Sequence, residues 1–285
     1  MHRLATIVWD PSPAIFNWNL PFLGRPILWY GFLFALGLLL AYRSFLFFLK
    51  REPTTKGQAL EIAEATVLPA VMGILLGARL GEIFFYQKFQ HFLAHPGSIM
   101  AVWEGGLASH GGVAGLLMGL AYVARKKGLS YLNLIDLLAF PSAATATCIR
   151  LGNLMNQEIL GTPTSLPWGF LFLHPAGGEA VVARHPVQLY EALFYALLFV
   201  LGYIASRQNW RFFSLPGRRA GFLLCILFSF RWLVELVKEE QSLLVGAGQL
   251  PGGLDMAQYL SLPLILFGAL LMWLGRRWKS SNCNL

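Results

Sequence analysis

Charged residues are scarce in this chain, and that scarcity excludes an ordinary soluble protein. Only 13% of the 285 residues are charged, whereas 56% are hydrophobic and the mean hydropathy is +0.57. A disordered chain is excluded as well, because disorder requires low hydrophobicity. Several apolar stretches reach the ~20 residues needed to cross a ~30 Å hydrocarbon layer. The composition therefore predicts a membrane protein.

Cysteine is also scarce, and three cysteines at these spacings form neither a disulfide framework nor a zinc site. Cys148 lies in an apolar run and is expected to be a small buried side chain rather than a nucleophile. His91 and His95 are four residues apart but have no third ligand near them in sequence. We predict no metal and no cofactor.

Acidic residues are fewer than basic ones, 14 against 22, which gives a net charge of +8. Such an excess suits nucleic acid only when it forms one basic face. Here the basic residues lie in short clusters between apolar runs, so we expect no nucleic-acid partner.

Seven stretches predict membrane-spanning helices, and the chain is expected to be an all-α polytopic membrane protein with a single domain over residues 1–285. The predicted spans are about 27–49, 62–86, 109–124, 131–155, 187–206, 219–238 and 258–275. Thirteen basic residues follow the odd-numbered spans, and five lie on the opposite side. The positive-inside rule then places the N-terminus outside, the C-terminus in the cytoplasm and the Pro- and Gly-rich segment 156–186 outside.

Three arginines are predicted in the outer half of the membrane, where each costs ~2.5–3.5 kcal/mol on insertion scales. Arg79 precedes Glu82 by three residues and Arg231 precedes Glu235 by four, so each pair is either a structural ion pair or part of a ligand site. Arg150 has no acidic residue three or four positions away. It is the stronger anion-binding candidate, because a guanidinium can hold two phosphate oxygens.

Other polar residues are predicted at the same depth. Gly152, Asn153, Asn156 and Glu158 combine an open backbone with donors and acceptors, which favours a ligand site over a polar helix end. His110 begins span 3, and its position alone favours capping over catalysis.

At the start of span 5, Gln188 and Glu191 are three residues apart, so we expect them to orient each other.

These residues together resemble the prolipoprotein diacylglyceryl transferases of bacterial inner membranes, over nearly the whole chain. The motifs that carry the resemblance are, in order, Trp29-Tyr30-Gly31, Gly77-Ala-Arg79-Leu-Gly81, Glu104 to Gly112, Asp136, Arg150 to Gly161, Arg184 to Glu191, Arg231 with Glu235, Gly248-Gln249 and Ser261-Leu-Pro263.

The resemblance implies a topology of seven spans and transfer of a diacylglyceryl group from phosphatidylglycerol to the lipobox cysteine of a prolipoprotein, with release of glycerol phosphate. The partners would be phosphatidylglycerol, the prolipoprotein and membrane lipid, in the bacterial inner membrane. The family's critical positions fall on Tyr30, His110, Arg150, Asn153, Gly161 and Arg231, with Glu158 and Glu235 in support.

Four positions depart from the family pattern. Ile149 and Gln157 stand where glycine is usual, Leu227 where tyrosine is common, and Lys238 where arginine is common. These departures leave open a divergent paralogue with altered lipoprotein choice.

Chemistry fits the resemblance. The leaving phosphate develops a second negative charge, which Arg150 and Arg231 would stabilise. The acceptor thiol, with a free pKa of ~8.5, needs a base. His110 is the candidate base, or else it orients the headgroup.

Two other classes of protein would also carry such polar residues. A transporter for an anionic solute or lipid would want intramembrane arginines, but the chain shows no internal repeat and its polar residues crowd at one interface. A structural membrane subunit would not require three arginines within the membrane.

Overall fold

The computed structural model describes residues 7–16, 24, 26–85, 109–239 and 256–282. Two compact units are found, one made of residues 1–44 and 139–285 and the other of residues 45–138. The described residues are mostly helical, as expected. Seven long helices occur among them: α1 (Trp29–Arg51), α2 (Ala59–Phe85), α3 (Ser109–Lys127), α4 (Tyr131–Met155), α5 (Val187–Arg207), α6 (Arg218–Glu235) and α7 (Met256–Asn282).

Each of these helices coincides with one predicted span, but only five are long and apolar enough to count as membrane spans by composition. The five are α1, α2, α4, α5 and α7. Four of the 18 residues of α6 are charged, and α3 ends in three basic residues. Seven spans and the orientation of the termini therefore stay predictions. The five apolar helices confirm the coarser prediction of a membrane protein.

Large apolar side chains lie on the outside of the helices, as a lipid-facing surface requires. Leu68 of α2 and Leu266 of α7 are 69% and 70% exposed. The two helices with weaker composition also present such residues, since Met118 of α3 is 67% exposed and Leu233 of α6 is 56% exposed.

Helix α4 is continuous although Pro141, Asp136 and Arg150 lie within it. Within membrane proteins, neighbouring helices can satisfy the backbone groups that a proline frees. Close packing against α1 also holds α4, since a Cβ on Gly37 would lie 2.9 Å from the Cβ of Cys148. Cys148 is 5% exposed, which confirms that it is a buried side chain.

The unit formed by residues 45–138 is held together by glycines that bring the α2 and α3 backbones into contact. A Cβ on Gly115 would lie 1.8 Å from the carbonyl oxygen of Gly73, and one on Gly111 would lie 2.0 Å from that of Gly77. Small residues four positions apart on facing helices allow this close approach in membranes. The pair therefore packs backbone to backbone rather than through large side chains.

A small sheet, absent from the all-α prediction, lies in the other unit. Its strands are β1 (Ile7–Trp9), β2 (Phe170–Phe172) and β3 (Ala183–Arg184), in the order β1-β2-β3. Strand β1 pairs with β2 in parallel, and β2 pairs with β3 antiparallel. Strands of two or three residues give little periodicity to detect, and β1 pairs with residues ~160 positions away, so no local pattern predicts them.

The sheet packs on the C-terminal end of α4. Leu154, Leu160, Phe170 and Phe172 form a buried cluster against which Trp9 packs. The indole Nε1 of Trp9 also donates a hydrogen bond to the carbonyl oxygen of Leu154 at 2.9 Å. This packing anchors the polar segment that follows α4.

Substitution of Gly115 by alanine is expected to destabilise the α2–α3 pair. The added Cβ meets backbone, which cannot rotate away, so the cost should approach the ~1–3 kcal/mol typical of overpacking. Gly112→Ala is the matched control, because its Cβ would meet the Ala78 Cβ at an ordinary 3.5 Å. Thermal unfolding of both variants in detergent checks this. A melting temperature for Gly115→Ala equal to that of Gly112→Ala would contradict it.

Candidate functional site

The carboxylate of Glu191 lies at the centre of a polar cluster in the unit that contains residues 139–285. Glu191 is fully buried in the second turn of α5. Its Oε2 lies 2.9 Å from Nε of Arg150 on α4, and its Oε1 lies 4.0 Å from Nη1 of Arg231 on α6. The hydroxyl of Tyr195, one turn further along α5, donates a hydrogen bond to Oε1 at 3.1 Å. One carboxylate thus joins three helices.

Arg150 pairs with an acidic residue of another helix, Glu191 of α5. The rule of three or four positions detects only residues on the same helix, whereas Glu191 comes from α5. Nη1 of Arg150 also donates a hydrogen bond to Oδ1 of Asn153 at 3.1 Å. Arg150 is therefore held on two sides by the protein.

Arg231 is held much more loosely than Arg150. Within the described residues its guanidinium donates no hydrogen bond, and Glu191 at 4.0 Å is the one carboxylate in range. Of the two alternatives for Arg231 and Glu235, the ion pair is not formed in the structure, where Nζ of Lys238 lies 3.1 Å from the Glu235 carboxylate. The Arg231 side chain is 29% exposed, against 12% for Arg150. Most of its donors thus remain available to a ligand.

The polar residues after Arg150 are organised around Glu158. Its Oε1 accepts hydrogen bonds from Nδ2 of Asn153 at 2.7 Å and from Nδ2 of Asn156 at 3.4 Å. Its main-chain carbonyl accepts one from Nε2 of Gln188 at 2.7 Å. Gln188 therefore holds this segment rather than orienting Glu191, and the expected pairing within α5 was wrong.

Tyr30 joins this group at the start of α1. A Cβ on Gly152 would lie 2.8 Å from Cδ2 of Tyr30, so only glycine leaves space for the ring. The phenol is close enough to Arg150 and Glu158 to interact with both electrostatically. The structure therefore brings together Tyr30, Arg150, Asn153, Glu158 and Arg231.

Gly161 lies where three segments meet. A Cβ there would lie 2.4 Å from the carbonyl oxygen of His185, so no larger residue fits without a shift of backbone. Its carbonyl oxygen accepts a hydrogen bond from Nη1 of Arg184 at 3.2 Å, and its backbone forms an antiparallel bridge with Lys238. Gly161 thus fixes the segment after α4 to the start of α5 and the end of α6.

His110 and Arg79 lie in the unit of residues 45–138. The imidazole of His110 is exposed at the second residue of α3, whereas Arg79 is buried in α2. The place of His110 in the same site as Arg150 stays a prediction, and so does the pairing of Arg79 with Glu82.

The structure gives physical reasons for two of the four departures from the family pattern. Gln157, where glycine is usual, has a φ of 51°, in the left-handed region that favours glycine. Its Oε1 accepts a hydrogen bond from the amide of His174 at 2.8 Å, which offsets that strain. Lys238 keeps a cation where arginine is common and is 7% exposed beside Glu235. Nothing in the structure explains Ile149 or Leu227.

Glu191 and Tyr195 are the residues that sequence reasoning missed. In the sequence, Glu191 is notable as the end of the Arg184 to Glu191 motif and as a neighbour of Gln188, but neither feature predicts its contacts with the arginines, and no motif points to Tyr195. The one available signal was their spacing of four residues, which places them on one face of α5.

The cluster carries equal numbers of opposite charges. Arg150, Arg231 and Lys238 are cationic, and the three carboxylates are those of Glu158, Glu191 and Glu235. In the part of the chain that the structure describes, no group of three or more His, Cys, Asp or Glu side chains could hold a metal ion. The arrangement is suited to bind an anionic group through the open side of Arg231.

Comparison with known proteins identifies similar sequences over most of the chain. A family model described as prolipoprotein diacylglyceryl transferase matches residues 19–274. The phosphatidylglycerol–prolipoprotein diacylglyceryl transferase of Cereibacter sphaeroides is 37% identical over 290 residues, covering 94% of this chain and 97% of that protein. The protein of the same name from Porphyromonas gingivalis is 37% identical over 280 residues, covering 95% and 94%.

A relative from Protochlamydia amoebophila, with the same name, is 43% identical over 219 residues. The match covers 75% of this chain but 57% of that protein, so the chain spans little more than half of its length.

Substitutions of Gln157 are expected to separate backbone strain from hydrogen bonding. Gln157→Ala loses the bond to His174 and keeps the left-handed strain, so it should destabilise the protein by about 1 kcal/mol. Gln157→Gly loses the same bond but relieves a strain of roughly similar size, so it should be near neutral. Thermal unfolding of the two variants in detergent checks this. An alanine variant as stable as the glycine variant would contradict the left-handed strain, and an alanine variant as stable as the wild type would contradict the role of the hydrogen bond.

Proposed function

The chain belongs to the prolipoprotein diacylglyceryl transferase family, and from this premise we propose how its arginine cluster serves the reaction. The chain transfers a diacylglyceryl group from phosphatidylglycerol to a prolipoprotein. One observation carries the proposal for the site: Arg150 and Arg231, on separate helices, meet the two oxygens of one buried carboxylate. Both guanidiniums are thereby held near a single small volume.

We propose that this volume receives the phosphate of phosphatidylglycerol. Arg231, whose donors are open, contacts the phosphate directly. Arg150 contacts it through the edge of its guanidinium that is not used by Glu191 or Asn153. The lipid phosphate carries one negative charge as a diester and heads toward two as the leaving monoester. Cations fixed in place beforehand stabilise that developing charge without reorganising, which lowers the barrier.

The acceptor is the thiol of the lipobox cysteine. Its sulfur forms a bond to the glyceryl carbon, the bond from that carbon to the phosphate oxygen breaks, and glycerol phosphate leaves. The thiol proton must go to a base, because only a few per cent of such a thiol is ionised at neutral pH. We assign that role to His110, with orientation of the headgroup as the second possibility.

The remaining site residues have supporting roles in this proposal. Tyr30 contacts the headgroup beside Arg150. Asn153 and Glu158 orient Arg150, while Glu235 holds Lys238. Gly161 keeps the segment after α4 against the rest of the site.

We propose the same membrane topology that the charge distribution predicts, in the bacterial inner membrane. Helices α3 and α6 then complete seven spans, supported by their exposed apolar residues Met118 and Leu233. The N-terminus, the small sheet and the segment 156–186 lie outside, and the C-terminus lies in the cytoplasm. The relatives described above are named as transferases, so the transporter hypothesis receives no support.

Arg150→Lys is expected to lower turnover by about 10²–10³. Lysine keeps the charge but cannot contact Glu191, Asn153 and a phosphate together, because it lacks the planar fork. The assay is release of glycerol phosphate by the purified protein, given phosphatidylglycerol and a lipobox peptide. Arg125→Lys, at an exposed position on α3, is the control and should remain active. Full activity of Arg150→Lys would show that the residue is a simple point charge.

His110→Gln is expected to separate the two roles proposed for the imidazole. If His110 is the base, turnover should fall by roughly 10²–10⁴ while the affinity for phosphatidylglycerol changes little. Weaker lipid binding with near-normal turnover assigns His110 to the headgroup instead. If turnover and lipid affinity both equal those of the wild type, His110 only caps the start of α3. Steady-state kinetics with varied phosphatidylglycerol distinguishes the three results.

A further inference from the structure

We propose that Glu191 is a positioning residue that sets the geometry of both arginines for the lipid phosphate. This inference rests on the proposed phosphate site. Glu191 has no exposed surface, and its two oxygens are divided between partners, Oε2 facing Arg150 and Oε1 facing Arg231 and Tyr195. Because it has no exposed surface, Glu191 is not placed to contact a substrate itself, so it acts through the arginines.

A buried carboxylate is a strong constraint on its surroundings. An uncompensated charge in an apolar interior is so costly that the groups around it must remain close. Two arginines on α4 and α6 would otherwise repel each other. With Glu191 on α5 between them, both guanidiniums lie within 4.0 Å of one carboxylate. The carboxylate therefore fixes the spacing at which one phosphate can meet both.

The two arginines are held to different degrees, and this difference has a chemical consequence. The contact with Arg150 at 2.9 Å is an ion pair in which Oε2 accepts no hydrogen bond from the described residues. The contact with Arg231 is longer, 4.0 Å, and leaves its donors open. Arg150 is thus fixed in place, whereas Arg231 is placed nearby and remains able to grip a ligand.

Tyr195 fixes the plane of the carboxylate. It is 3% exposed, and its hydroxyl donates to Oε1, the oxygen that faces Arg231. The bond limits rotation of the carboxylate about its axis. Tyr195 therefore keeps Oε2 facing Arg150 and Oε1 facing Arg231.

A simpler role for Glu191 would be to neutralise the charge of buried arginines, and two substitutions separate the roles. Glu191→Gln keeps the shape and adds one unit of positive charge to the cluster, so neutralisation alone predicts equal or tighter binding of anionic lipid. Glu191→Asp keeps the charge but shortens the side chain by one methylene group, which moves the carboxylate away from the arginines. Neutralisation alone then predicts near-normal activity. Positioning predicts that both variants lose turnover.

The experiment measures kcat and KM for phosphatidylglycerol with the purified full chain and a lipobox peptide. We expect both Glu191 variants to lower kcat about 10- to 100-fold with little change in KM, because a displacement near 1 Å can cost that much. Tyr195→Phe should lower kcat less. Glu61→Asp is the matched control. Glu61 is exposed and pairs with Lys127, so this variant should keep normal kinetics.

A double-mutant cycle tests whether Glu191 acts through Arg231. If it does, Glu191→Asp with Arg231→Lys should lose little more kcat than the worse single variant. Losses that multiply would overturn the inference. Normal kcat for Glu191→Asp would overturn it too, and so would tighter lipid binding with normal turnover for Glu191→Gln. Where a Glu191 variant yields little folded protein, Tyr195→Phe decides, and normal kcat for that variant counts against positioning.

Failure of the inference and failure of the proposed function give different results. If Arg150→Lys and Arg231→Lys are both fully active, the phosphate site itself is wrong. If those two variants are impaired while Glu191→Asp is normal, the phosphate site stands and only the positioning role is lost.

Discussion

A carboxylate with no exposed surface must find its counter-charges inside the protein, and Glu191 finds them on two other helices. This requirement ties α4, α5 and α6 together near one end of each. The surrounding polar groups are connected to it in series, because Arg150 is hydrogen-bonded to Asn153 and Asn153 to Glu158. Removing one member of such a network leaves the others buried without partners, which is why the network is held as a unit.

The segment after α4 links this network to the residues outside the helices. Glu158 accepts from Gln188 at the start of α5, Gly161 packs on His185, and the backbone near Gly161 pairs with that near Lys238. The small sheet covers the same segment through Leu160 and its neighbours. A polar segment at a helix end thus becomes a fixed part of the site, because its backbone groups are bonded to several elements.

The two arginines illustrate how one protein can use the same side chain for two purposes. Arg150 is engaged on two sides and nearly buried, so it offers a fixed charge. Arg231 keeps open donors and more exposure, which the proposed phosphate site requires. An equal number of carboxylates balances the three cations of the cluster, which reduces the cost of charge in an apolar surrounding. The departure at Lys238 preserves this balance, because lysine retains the cation beside Glu235.

The sequence by itself determined the membrane class and the positions of the seven long helices that the structure describes, and it singled out most of the polar residues that the structure brings together, because apolar runs of ~20 residues and polar residues within them are local signals. Only the tertiary structure decided which charges pair. Glu191 meets Arg150 and Arg231 from another helix, whereas spacing along the chain detects neighbours on one helix only. Glu235 has one cation four positions before it and another three positions after it, and the structure pairs it with the second, Lys238. The sheet also required the structure, since β1 pairs with a strand far along the chain, and that pairing leaves no trace in local sequence.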